Sequence, residues 1–132
     1  MSADAKPDVE YLTSEAMKGL PFSEAVRVGK MLYLSGQIGV DPSMKLVPGG
    51  IEPETRKTLE NITATLERYG SSLDQVVKVT VMLADMSEWA TVNQVYVTYF
   101  PNHRPARSAL GANGLALGAR IEIECLAVLP GS

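Results

Sequence analysis

Arg120-Ile121-Glu122-Ile123-Glu124-Cys125-Leu126-Ala127-Val128-Leu129 and, shortly before it, Pro105-Ala106-Arg107-Ser108 decide how the chain folds. The longer run alternates with period two. Ile121, Ile123, Cys125, Ala127 and Leu129 share one face, and Glu122, Glu124, Leu126 and Val128 the other. The second face opens with two carboxylates and closes apolar. The strand is therefore expected to have apolar cover on both sides near its end, with Glu122 or Glu124 partly buried. A carboxylate taken out of water needs a partner. Arg107 is the expected one, because a planar guanidinium grips carboxylates bidentately. The plainest version of that pairing is a buried ion pair joining two strands or two subunits, which loses roughly 3–5 kcal/mol when one partner is removed.

Upstream of this pair, a strand is expected from Ala106 to Leu110, followed by the Gly- and Ala-rich loop Gly111 to Gly118. Val76-Val77-Lys78-Val79-Thr80-Val81-Met82-Leu83 is rich in β-branched residues and reads as a strand. Between them, Asp85 with Glu88 three positions on predicts a capping-box start for a helix that buries Trp89, Val92, Tyr96 and Phe100 and stops near Pro101. Asn93 lies beside that stripe, either as a satisfied buried amide or as part of a site.

A longer helix is predicted over 53–69, with Leu59, Ile62, Leu66 and Tyr69 inward and Gly70 as its C-terminal cap. Glu54, Arg56, Lys57, Glu60, Glu67 and Arg68 read as its solvated face. Asp41-Pro42-Ser43 and Pro48-Gly49-Gly50 mark the loop before it. Earlier still, Ala25 to Val28 and Met31 to Ile38 form a hairpin about Gly29-Lys30, and Gly36 predicts a bulge or a close approach. A polar lead-in carries a short strand around Val9 to Leu12. The result is an α+β domain with two helices on one face of a mixed sheet. No third helix is available for the other face, so burial against further copies of the chain is expected.

The 132 residues, 45% hydrophobic, make one domain over 1–132. A net charge of −3 supplies no general basic field and argues against a dedicated nucleic-acid binder. Nothing resembles a signal-peptide core or reaches the roughly 18 apolar residues of a membrane span, so the expected address is cytoplasmic, with no membrane partner. The single cysteine, Cys125, is expected to be a buried small hydrophobe rather than a nucleophile. One histidine, His103, and one cysteine make no metal-ligand cluster, and no Gly-x-Ser-x-Gly elbow accompanies His103.

Several segments together resemble one family. These are Pro21-Phe22-Ser23-Glu24-Ala25-Val26, Ser35-Gly36-Gln37-Ile38, Gly70-Ser71-Ser72-Leu73, Val92-Asn93-Val95-Tyr96, Pro105-Ala106-Arg107-Ser108 and Ile121-Glu122-Ile123-Glu124. Their combination resembles the reactive intermediate (imine and enamine) deaminase family, the YjgF-type proteins formerly grouped as L-PSP endoribonucleases. The resemblance implies a chorismate-mutase-like fold, a homotrimer whose sheets line an inner barrel, and clefts at subunit interfaces. It also implies hydrolysis of 2-aminoacrylate-type enamines and imines to 2-oxo acids and ammonia, with neither metal nor cofactor.

By the same resemblance Arg107 clamps the substrate carboxylate and Glu122 places or activates water. Ser35, Gly36, Phe22, Asn93 and Ala109 complete the binding cleft. The chain departs from the pattern at Phe22, where Tyr is typical, at Ala109, where Cys is frequent, at Ala116, often Pro, and at Glu24, usually Gln. Glu24 is expected to add negative charge near the cleft entrance. The alternatives are a module that binds 2-oxo acids or a protein partner without turnover and, with less support from an acidic chain, an endoribonuclease.

Overall fold

The computed structural model describes residues 8–131. Eight elements build it: β1 (Val9–Leu12), β2 (Ala25–Val28), β3 (Met31–Gln37), α1 (Ile51–Arg68), β4 (Val76–Leu83), α2 (Trp89–Tyr96), β5 (Ala106–Gly111) and β6 (Ile121–Val128). The strands form one sheet in the order β1-β2-β3-β6-β4-β5, parallel only between β4 and β5. The alternation of β6 places it between β3 and β4, the position of a strand with one face in the core. Ile121, Ile123, Cys125 and Ala127 face the core together with Val79, Val81 and Leu83 of β4 and Leu32 and Leu34 of β3. Leu59, Ile62 and Leu66 of α1 and Val92 and Val95 of α2 close over them. The two helices thus share one face of the sheet. No helix among the described residues is long and apolar enough to cross a membrane.

Gly29, at φ +58, turns the β2–β3 hairpin, and Gly70, at φ +90, ends α1. Three expectations need correction. Trp89 is 43% exposed, because it opens α2 and a helical side chain tilts toward the N-terminus, beyond the covering stripe. Asp85 does cap, accepting from Ser87 N at 2.9 Å, but Glu88 turns to Arg120 at 3.0 Å instead of closing a box. Glu54 is 4% exposed and not solvated. The helix starts at Ile51, which puts Glu54 in its first turn, where Oε2 accepts from Arg120 N at 2.6 Å and ties α1 to the entry of β6.

Candidate active site

β3 loses register against β6 between Leu34 and Gln37, so Ser35-Gly36 forms the bulge its glycine predicts. The glycine is required by what lies behind it. A Cβ on Gly36 would fall on the Glu122 carboxylate, 2.9 Å from Cδ. Phe22, Ser35, Gly36 and Glu122 then line one cavity of 360 Å³, closed by Met17, Leu20 and Ile38 and by the Met44 and Leu117 loops. Burial pushes the Glu122 carboxyl above its ordinary range, and the Glu124 charge on the same face pushes it further. Among the described residues Glu122 has no hydrogen-bond partner, which leaves both oxygens for a ligand or water. The Ser35 hydroxyl donates to Ser23 O at 2.6 Å, so toward a ligand it offers lone pairs.

Glu24 corrects the expectation of a free charge at the entrance. It is 6% exposed. Its carboxylate receives Arg68 Nη1 at 3.0 Å, Tyr69 Oη at 2.7 Å and Ser14 N at 3.2 Å, so its charge is compensated where it borders the cavity. Its backbone carbonyl accepts from Ser35 N at 3.1 Å, which supports the bulge from beneath.

Arg107 is built differently. It lies on β5, the edge strand, in register with Val79 and hence on the helix-facing side. Its Nη1 donates to Asn93 Oδ1 at 2.8 Å, and its guanidinium carbon stands 4.8 Å from the centroid of the Tyr96 ring. Asn93 and Tyr96 are three residues apart on α2 and so share a face; the same spacing makes Tyr96 readable from sequence as a support for Arg107, although its role there was only that of a core residue. Arg27, Arg56, Arg68 and Arg120 each pair with a carboxylate. Arg107 is held by an amide and an aromatic face, which orient the cation without neutralising it. Ala109 lies two residues along the same strand and presents backbone beside it.

The expected contact between Arg107 and Glu122 is therefore absent within one chain. Arg107 is in register with Val79 and Cys125, on the core side, whereas Glu122 is in register with Met82 and Leu110, on the open side. β4 separates their strands as well. One chain brings together Phe22, Ser35, Gly36 and Glu122 as one group and Asn93, Arg107 and Ala109 as another. Two other polar residues have structural roles. Burial among apolar neighbours pushes the Cys125 thiol up to about 12, so it stays protonated. His103 Nε2 meets Val76 O at 2.9 Å and its ring stands edge-on to Phe100.

Comparison with known proteins gives one consistent result. A family model described as Endoribonuclease L-PSP matches residues 13–129. The 2-iminobutanoate/2-iminopropanoate deaminase of Mus musculus is 47% identical over 109 residues, 82% of this chain and 81% of that protein. The Homo sapiens protein of the same name is 45% identical, over 82% of this chain and 80% of its own length. Among solved structures, the YjgF gene product of E. coli superposes with a TM-score of 0.81 at 35% identity, covering 90% of this chain and 98% of that one.

Proposed function

The chain belongs to the endoribonuclease L-PSP family, and we propose that it acts there as a deaminase, hydrolysing 2-imino acids and their enamine tautomers to 2-oxo acids and ammonia. The observation that carries the reading is Arg107, a guanidinium fixed by Asn93 and Tyr96 and paired with no carboxylate among the described residues. A rigid cation of this kind is receptive to a carboxylate, which it holds through two parallel hydrogen bonds.

Glu122 supplies the complementary chemistry. With the carboxylate clamped and the imine nitrogen protonated, Glu122 takes a proton from water as the oxygen bonds to the imine carbon. The same carboxyl then returns the proton to the nitrogen and, ionised again, takes the hydroxyl proton of the carbinolamine as the C–N bond breaks, the carbonyl forms and ammonia leaves. A carboxyl raised by burial is a stronger base than one in water, which favours the proton abstraction from water. Ser35 and the Gly36 backbone accept from or align the substrate, Phe22 and Ala109 flank it, and Asn93 keeps Arg107 in place. No metal or cofactor has a step in this scheme.

Since Arg107 and Glu122 occupy opposite faces of one sheet, the reading needs two copies, the cation of one meeting the cavity of the next. A closed homotrimer satisfies this, with the open sheet face turned inward as a barrel lining; exposed Tyr33 and Leu110 on that face support such burial. The reading takes 1–132 as one domain working on small metabolites in the cytoplasm.

The test is the rate of 2-oxo acid release while a serine dehydratase generates 2-aminoacrylate, with no protein, wild type or Arg107→Ala. The wild type should accelerate release, and Arg107→Ala should lose about 100-fold or more of that acceleration with its oligomer intact. Saturable binding of 2-oxo acids without acceleration would replace the deaminase with a binding module.

A further inference from the structure

Behind the wall of the Glu122 cavity lies a second cavity, of 230 Å³, between α1, the segment 14–17 and the loop that follows β3. Met17, Glu24, Gln37, Val40 and Met44 border both spaces, but none of Phe22, Ser35, Gly36 and Glu122 lines this one. α1 supplies one side of it. Lys57, Asn61, Thr65 and Arg68 recur at i, i+4, i+8 and i+11 and so share one helical face.

The hydrogen bonds on this face decide which atoms are left for a ligand. Asn61 Nδ2 donates to Ile38 O and Val40 O, both at 3.0 Å. Only the amide nitrogen can do so, and Oδ1 is left with no donor among the described residues. Thr65 Oγ1 donates to Asn61 O at 3.1 Å, which uses its proton, so it accepts from Gln37 Nε2 at 2.8 Å. Gln37 Oε1 is thereby left open as well. Asp41 Oδ1 accepts from Ser43 N at 2.9 Å, Ser43 Oγ at 2.7 Å and Lys45 N at 3.1 Å, while Oδ2 takes no donor among the described residues. Arg68 donates Nη1 to both oxygens of Glu24 at 3.0 Å, whereas Lys57 pairs with no carboxylate among the described residues.

The lining therefore sets one unpaired ammonium near three unpaired acceptor oxygens, one of them on a carboxylate. A small molecule carrying both a carboxylate and an ammonium answers both. The volume is below the roughly 300–1,000 Å³ usual for drug-sized ligands, which suits a single amino acid, and Ala16, Met17, Pro42 and Ala64 form its apolar part. We propose that this cavity is a second binding site, for a free apolar α-amino acid of leucine or methionine size. Lys57 takes the carboxylate, Asn61, Gln37 and Asp41 offer acceptors to the ammonium, and the side chain lies on the apolar part. A 2-oxo acid has no ammonium and leaves those acceptors unpaired, so the site discriminates against it. The proposal stands apart from the deaminase reading and does not need it.

The experiment is calorimetric titration with L-leucine and, separately, with 4-methyl-2-oxopentanoate, on wild type, Lys57→Met, Lys57→Arg and Arg107→Ala. Methionine keeps the length and helix propensity of lysine, so the melting temperature of Lys57→Met should hold. Leucine should bind the wild type, weaken about tenfold or more in Lys57→Met through loss of a charge-assisted hydrogen bond, and recover in Lys57→Arg. Arg107→Ala should bind it unchanged. No heat at millimolar leucine would overturn the site. So would leucine binding that Arg107→Ala abolishes and Lys57→Met leaves intact, which would put the amino acid in the cleft of Arg107 instead. Binding of the 2-oxo acid that equals leucine's and falls equally in Lys57→Met would overturn the ammonium's part in recognition. Failure of the protein to accelerate any imine's hydrolysis would sink the deaminase reading, and Lys57-dependent leucine binding would still uphold this one.

Discussion

Glu122 sits on a central strand beside a bulge, walled by Phe22 and the Met44 and Leu117 loops, whereas Arg107 sits on an edge strand with Asn93 and Tyr96 against it. Glu122 is given burial, which raises its pKa, and no hydrogen-bond partner among the described residues. The cation is given orientation by neutral groups and keeps its charge. The two requirements conflict if the residues share a pocket in one chain: a close Arg107–Glu122 pair would lower the carboxyl's pKa and occupy the guanidinium. Opposite faces of the sheet keep them apart in one chain, and in the proposed reading a second copy and a substrate bring them together.

Gly36→Ala tests the Glu122 side with the larger expected effect. The added methyl displaces the end of a flexible side chain, so the fold should survive while kcat falls about tenfold or more as the carboxylate swings away. An unchanged kcat with a lowered melting temperature would mean that the Gly36 contact serves packing alone. Glu124→Gln is the finer probe. Glu122 must be ionised to accept a proton, so activity is lost as pH falls through its raised pKa. Removing the Glu124 charge removes one of the two causes of that rise, and the acid limb of kcat/KM should move to lower pH. A limb that stays in place would assign the titration to another group.

The alternation of β6 carried most of the fold, because a strand with one face in the core must keep period two, and the Ile/Cys/Ala face is indeed the buried one. The β2–β3 hairpin and the bulge were equally legible, since Gly29 and Gly36 are demanded by local geometry. What local pattern could not give were contacts between distant residues. Glu54 reaches Arg120 N across the fold, and Glu24 reaches Arg68 and Tyr69, yet each reads locally as an ordinary surface acid. At the site the sequence marked Arg107 and Glu122 through residue type. Their separation required the registers β4–β5 and β4–β6 together, which no single stretch encodes. Met44 and Leu117 carried no sequence signal, because a left-handed backbone under a long apolar side chain is the opposite of what composition suggests.

The most direct test of a divided site is complementation. Arg107→Ala and Glu122→Gln should each be nearly inactive. Unfolded together and refolded as a mixture, they should regain a substantial fraction of wild-type turnover, because some interfaces then join an intact Arg107 to an intact Glu122. A mixture that assembles into mixed oligomers, verified by tagging one variant, yet stays as inactive as its parents would contradict the account.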